Sequence, residues 1–112
     1  MPYNFDFSQL TDIKTIEVHP KGWITPLQVE YGIAEDIKTY GKLSYFWRVK
    51  GTQHTFVIPI VRLDFLSKGD YKKHFNETLE SFREDYITWK KEGFQYEWAR
   101  DYERQFSQFV VI

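Results

Sequence analysis

The sequence predicts an α+β fold: a small antiparallel sheet of about four short strands, with a hairpin around Gly51, packed against one long helix and a second, shorter helix. Three observations carry this expectation. Side chains on either side of Gly51 alternate in polarity, as the arms of a hairpin do. From Tyr71 to Trp89 the apolar residues recur at spacings of three and four, the period of a single helix face. The strand-like stretches also precede the helical ones, which favours segregated layers over alternating parallel units.

The expected sheet covers Ile16 to Phe65. Before it, Tyr3, Phe5 and Phe7 alternate as a short strand would, among the turn formers Pro2, Asn4, Asp6 and Ser8, so the N-terminus reads as a docked arm. Ile16 and Val18 alternate with Thr15, Glu17 and His19 until Pro20, Lys21 and Gly22 form a turn. The pattern resumes from Trp23 to Tyr31, with Leu27, Val29 and Tyr31 on one side. Pro26 lacks a backbone donor, which places this second strand at an edge or on a bulge. The stretch Gly32 to Gly41 reads as the most mobile loop.

Leu43, Tyr45, Trp47 and Val49 then alternate with Ser44, Phe46, Arg48 and Lys50 before a tight turn into Thr55 to Val61. With Gly51 and Thr52 as the loop, Trp47 faces Phe56 and Tyr45 faces Ile58. With Lys50 and Gly51 as the loop, Tyr45 faces Phe56 and Leu43 faces Ile58. Pro59 favours the second register, because its missing N–H then points away from the partner, and it places its strand at an edge. In both registers one face is oily and the other carries Lys42, Ser44, Phe46, Arg48 and Lys50.

The oily face needs a cover, and the rest of the chain supplies one. Ser67-Lys68-Gly69-Asp70 has the spacing of a helix start, and Lys90, Lys91 and Gly93 suit a helix end, so a helix is expected from Asp70 to Glu92. Its stripe is Tyr71, Phe75, Leu79, Phe82, Tyr86 and Trp89. After Gly93, Phe94, Tyr96 and Trp98 alternate like a strand. Phe94, Trp98, Tyr102 and Phe106 step by four like a helix, and the longer pattern favours a helix from about Gln95 to Ser107. Phe109 to Ile112 is β-prone and apolar, suited to a terminal strand or docking segment.

Size and composition agree with one domain, 1–112. The chain has 112 residues, of which 10 are Phe, 8 Tyr and 4 Trp, enough ring surface to fill a core at this length. The absence of cysteine removes disulfides, thiolate metal sites and a cysteine nucleophile, and it suits a reducing compartment. No apolar run is long enough for a membrane span and the N-terminus lacks a signal-peptide pattern, so a soluble cytoplasmic protein is expected.

Chemistry leaves few traces. His19, His54 and His74 are too far apart for a helical metal pair, and His74 with Glu77 runs opposite to the order used in di-iron bundles. Glu77, Glu80 and Glu84 share a helix face and form the main candidate carboxylate site, which a solvated surface explains equally well, while Glu35 and Asp36, adjacent in a loop, are a weaker pair. The glycines are isolated turn formers and no serine sits in a nucleophile elbow, so no cofactor or metal is expected.

The net charge of −1 gives no overall attraction to polyanions, but Ile37 to Leu63 contains Lys38, Lys42, Arg48, Lys50 and Arg62 with no carboxylate. Lys42, Phe46, Arg48 and Lys50 on one hairpin face therefore suggest single-stranded nucleic acid, although only one ring is offered for stacking. The surplus of rings suggests instead a contact with another protein or a second copy, through the Phe46/Arg48 face or through Trp98 and Tyr102. The expected function is non-catalytic binding of a protein partner, as an accessory, inhibitor, immunity-type or virion-associated component. A nucleic-acid-binding module and a carboxylate enzyme are the alternatives.

Overall fold

The computed structural model describes residues 6–36, 42–59 and 68–112. It is an α+β fold with a four-stranded antiparallel sheet in the order β1-β2-β3-β4 and two helices. The strands are β1 (Thr11–Val18), β2 (Leu27–Asp36), β3 (Lys42–Val49) and β4 (Phe56–Pro59), and the helices are α1 (Lys68–Lys91) and α2 (Glu97–Phe106).

The helical stripe does what its period requires. Phe75, Leu79, Phe82 and Tyr86 are buried, with Tyr71 and Trp89 packed at the margins, against sheet residues Ile16, Val18, Val29, Trp47 and Ile58. Trp47 lies 4.6 Å from Phe75 and stacks on Phe56 at 4.3 Å, so the oily hairpin face is the one α1 covers. The end of α1 is a two-bond C-cap: Phe94 N–H donates to the Trp89 carbonyl at 2.9 Å and Gly93 N–H to that of Lys90 at 3.0 Å. Gly93 takes φ +76, which glycine adopts without a Cβ penalty, and Phe94 follows at φ +51 with its ring buried 5.5 Å from Tyr86.

A polar flank of α1 stitches down the connection between β1 and β2. The Asn76 side chain accepts from His19 N–H at 3.1 Å, the Leu79 carbonyl accepts from the Trp23 indole at 2.9 Å, and Arg83 Nε donates to the Gly22 carbonyl at 3.1 Å. Arg83 also donates to the Val111 carbonyl at 2.8 Å through Nη2, while Trp23 and Val110 form a β-bridge. The apolar C-terminus is thus the docking segment its composition suggests. Gly22 takes φ +80, which strains any L side chain, and an added Cβ would also push the Arg83 guanidinium arm out of its place.

Several local expectations are corrected. β2 is an interior strand, not an edge: it begins at Leu27, so Pro26 precedes the ladder and removes no bond from it. Gly32 to Asp36 belong to β2, and residues 37–41 of the expected loop lie outside the described residues. β1 starts at Thr11, ahead of Ile16. The hairpin adopts the register not favoured above, with Trp47 opposite Phe56, Tyr45 opposite Ile58 and Ser44 opposite Pro59. Lys50 and Gly51 do form a tight turn, closed by the Thr52 N–H on the Val49 carbonyl at 3.0 Å, but β4 resumes only at Phe56. Residues 50–55 run outside the strands, and the Gln105 side chain of α2 accepts from the N–H groups of Gln53 at 2.9 Å and His54 at 2.8 Å. Among the described residues β4 is an edge, as expected. The Ser67 helix start and the expected strand rings Tyr3 and Phe5 lie outside the described residues, whereas Phe7 sits in a 3-10 turn, Phe7–Gln9.

Candidate functional site

Phe46, the ring of the hairpin face proposed from sequence, is covered by the chain itself, whereas Val57 and Lys50 on that face are exposed. Phe46 is 0% exposed and forms a small cluster with Phe7 and Leu10, with Ala34 against it. The segment that delivers Phe7 is shaped by Asp6, whose carboxylate accepts from the Ser8 N–H at 3.0 Å and the Ser8 hydroxyl at 2.6 Å. Those two bonds hold the Asp6 carboxyl below its ordinary range. Arg48 lies over the Phe7 ring, 4.1 Å from its centroid, and its Nε is 3.5 Å from Glu30, close enough for an ion pair but without hydrogen-bond geometry. Glu30 stands directly opposite Arg48 on β2, so sheet pairing brings a carboxylate to a segment that carries none of its own. Lys50 is exposed, and Lys42 opens β3 at the far end. A ring for stacking on a base is therefore not offered at Phe46 in this arrangement.

The helical carboxylates engage locally. Glu77 lies 4.0 Å from Lys73, and Glu84 3.9 Å from Arg83. Among the described residues, no group of three or more His, Asp or Glu side chains is placed to hold a metal ion. The histidines are scattered: His19 is exposed, 3.2 Å from Glu17, and His74 Nε2 lies 3.4 Å from the Thr78 hydroxyl. A shallow groove of about 430 Å³ runs along α1 beside β4, with His74, Thr78, Ser81 and Asp85 on the helix side and Phe56 on the sheet side.

His54 is enclosed by rings. Its ring meets Phe56 at 4.6 Å, Tyr102 at 5.0 Å and Phe82 at 5.7 Å, and its Nδ1 is buried without a hydrogen-bond partner. Burial pushes its pKa down to about 4, against an opposing pull from Asp101, so the imidazole is neutral at physiological pH.

The second pair of sequence candidates, Trp98 and Tyr102, forms part of a ring stack at the corner between α1 and α2. Tyr102 is buried and lies parallel to Trp89 at 5.1 Å. Trp89 meets the edge of Trp98 at 5.2 Å and 88°, and half-buried Trp98 stacks face to face with Tyr96 at 5.4 Å and 4°. Tyr96 ends the series with 54% of its surface exposed. It occupies the N-cap of α2 with extended backbone (ψ 147) and no capping side-chain bond, which turns its ring outward onto Trp98. Sequence reasoning passed over Tyr96 because it falls off the four-step helical run. The available signal was the strand-like alternation of Phe94, Tyr96 and Trp98, although the extended backbone ends at Tyr96 and Trp98 already lies in α2.

Comparison with known proteins adds no relative: no protein-family model, no curated protein and no solved structure matches the chain.

Proposed function

We propose that this protein acts by binding another protein, with Tyr96 and Trp98 as the central contact. The observation that carries this reading is the face-to-face pair at the α1–α2 corner, in which an exposed ring rests on a second ring already held by Trp89 and Tyr102. Tyrosine and tryptophan dominate the energetics of protein interfaces because they bring large contact area with few rotatable bonds. A ring fixed before contact loses less entropy on binding than a free one, so the stack raises the net gain from each ring buried.

Tyr96→Ser tests the reading without weakening the fold. Serine is a preferred N-cap residue, so the cap it adds, roughly 0.5–1 kcal/mol, offsets the lost ring contact with Trp98. Capture from cells with wild-type and Tyr96→Ser proteins, read by quantitative mass spectrometry, should show a partner whose recovery falls about tenfold in the variant. Equal recovery of every bound protein by the two forms, or no protein specifically retained by the wild type, would refute the proposal.

A further inference from the structure

A separate site opens at the other end of the sheet, where β1 loses register with β2. Thr11 pairs with Ile33 and Lys14 with Tyr31, so Asp12 and Ile13 together stand opposite the single residue Gly32. That is a β-bulge, which bends a strand and redirects its side chains. Asp12 takes φ +52, a left-handed conformation that costs a non-glycine residue energy and that Asp and Asn tolerate best. A cavity of about 420 Å³ lies between the bulge residues Asp12, Ile13 and Lys14 and the side chains of Tyr31, Ile33 and Tyr45. This volume lies within the range of small-molecule sites.

The walls and the rim differ in chemistry. Tyr31 and Tyr45 sit 6.2 Å apart and both lean on Tyr71, at 5.8 and 5.4 Å, so the aromatic wall is backed by the first turns of α1. At the rim, Asp12 and Lys14 carry opposite charges, yet neither makes an ion pair among the described residues. A simple anion would meet Lys14 but be opposed by Asp12, and a simple cation the reverse. A ligand bearing both charges satisfies both groups at once.

We infer that this cavity binds a small zwitterion with a flat apolar body, of the class of the free aromatic amino acids. The ligand carboxylate faces Lys14, its ammonium faces Asp12, and its ring lies against Tyr31 and Tyr45.

The test is an amide NMR titration of the full chain with three probes: L-phenylalanine, hydrocinnamate, which lacks the ammonium, and phenethylamine, which lacks the carboxylate. L-phenylalanine should give saturable shifts centred on Lys14, Gly32 and Ile33, and each truncated probe should bind roughly tenfold more weakly. Asp12→Asn keeps a residue that accepts positive φ. It should weaken L-phenylalanine and phenethylamine while leaving hydrocinnamate unchanged or improved, and Lys14→Gln should do the converse. Shifts that fail to saturate, that lie elsewhere on the surface, or that are equal for all three probes would overturn the inference, as would variants that bind all three like the wild type.

Discussion

His54 shows how one side chain can make stability depend on pH. Its folded pKa, about 4, lies below the ordinary histidine value because burial disfavours the imidazolium. The unfolded state therefore binds a proton in a range where the folded state does not. The sign follows: this contribution to stability is fully present above the unfolded pKa of about 6.5 and is lost as pH falls toward 4. Its ceiling is about 3 kcal/mol, and partial solvation of the ring lowers it. His54→Phe removes the titrating group and the unpartnered Nδ1 while keeping a ring among Phe56, Phe82 and Tyr102. Urea unfolding of the two proteins from pH 7 to pH 4 should show stabilities that diverge progressively, the variant losing less. Parallel curves would mean that His54 is charged in the folded state or solvated enough to titrate normally.

At the scale of elements, long-range polar ties decide what local pattern leaves open. Gln105 is the clearest case: its carbonyl oxygen accepts from two consecutive N–H groups of the β3–β4 connection, and its amide donates to Asp101 at 2.8 Å. Gln105→Ala takes the shared acceptor from one exposed and one part-buried backbone donor, at a cost of about 1 kcal/mol. Amide exchange should accelerate at Gln53 and His54 beyond the change at β2. Unaltered protection there would show that water replaces the side chain without loss. The same tie sets the length of the connection, and nothing near Gly51 announces a glutamine 54 positions later. The register turns on Pro59, which stands opposite Ser44, the pairing that its missing N–H argues against from sequence alone. By contrast α1 was legible almost to the residue, because six apolar side chains on one face can be satisfied only by a helix lying on a surface. α2 was legible because its four-step run ends on the buried rings Tyr102 and Phe106. The interior position of β2 was not, since Pro26 reads the same whether it lies within a strand or one residue before it. In the candidate site Trp98 and Tyr102 were found by type, while the exposed member Tyr96 depends on where helical geometry begins.

At the scale of the molecule, the described residues of the sheet carry two unequal apolar clusters. The helix side holds the rings of α1 and α2 with the inner residues of all four strands, whereas the opposite side holds Phe7, Leu10 and Phe46. The covering segment, residues 6–10, keeps its shape through local bonds: Gln9 N–H to the Asp6 carbonyl at 3.0 Å and Leu10 N–H to that of Phe7 at 3.2 Å. Its hold on the sheet is chiefly the burial of Phe7 and Leu10, supplemented by the Arg48 guanidinium over the Phe7 ring. A unit with few buried contacts and mostly local hydrogen bonds opens at a lower free energy than the core behind it. Phe7→Ala, a loss of about 3 kcal/mol if the site cannot collapse, should therefore act mainly on that unit. Native-state amide exchange should show residues 7–10 losing protection while β2 and β3 keep theirs, and Phe75→Ala, on the helix side, should lower protection throughout. If Phe7→Ala instead weakens β2 and β3 as much as its own segment, the two clusters unfold as one cooperative unit. The basic side of the hairpin would then be uncovered only by global unfolding, not by release of this short segment.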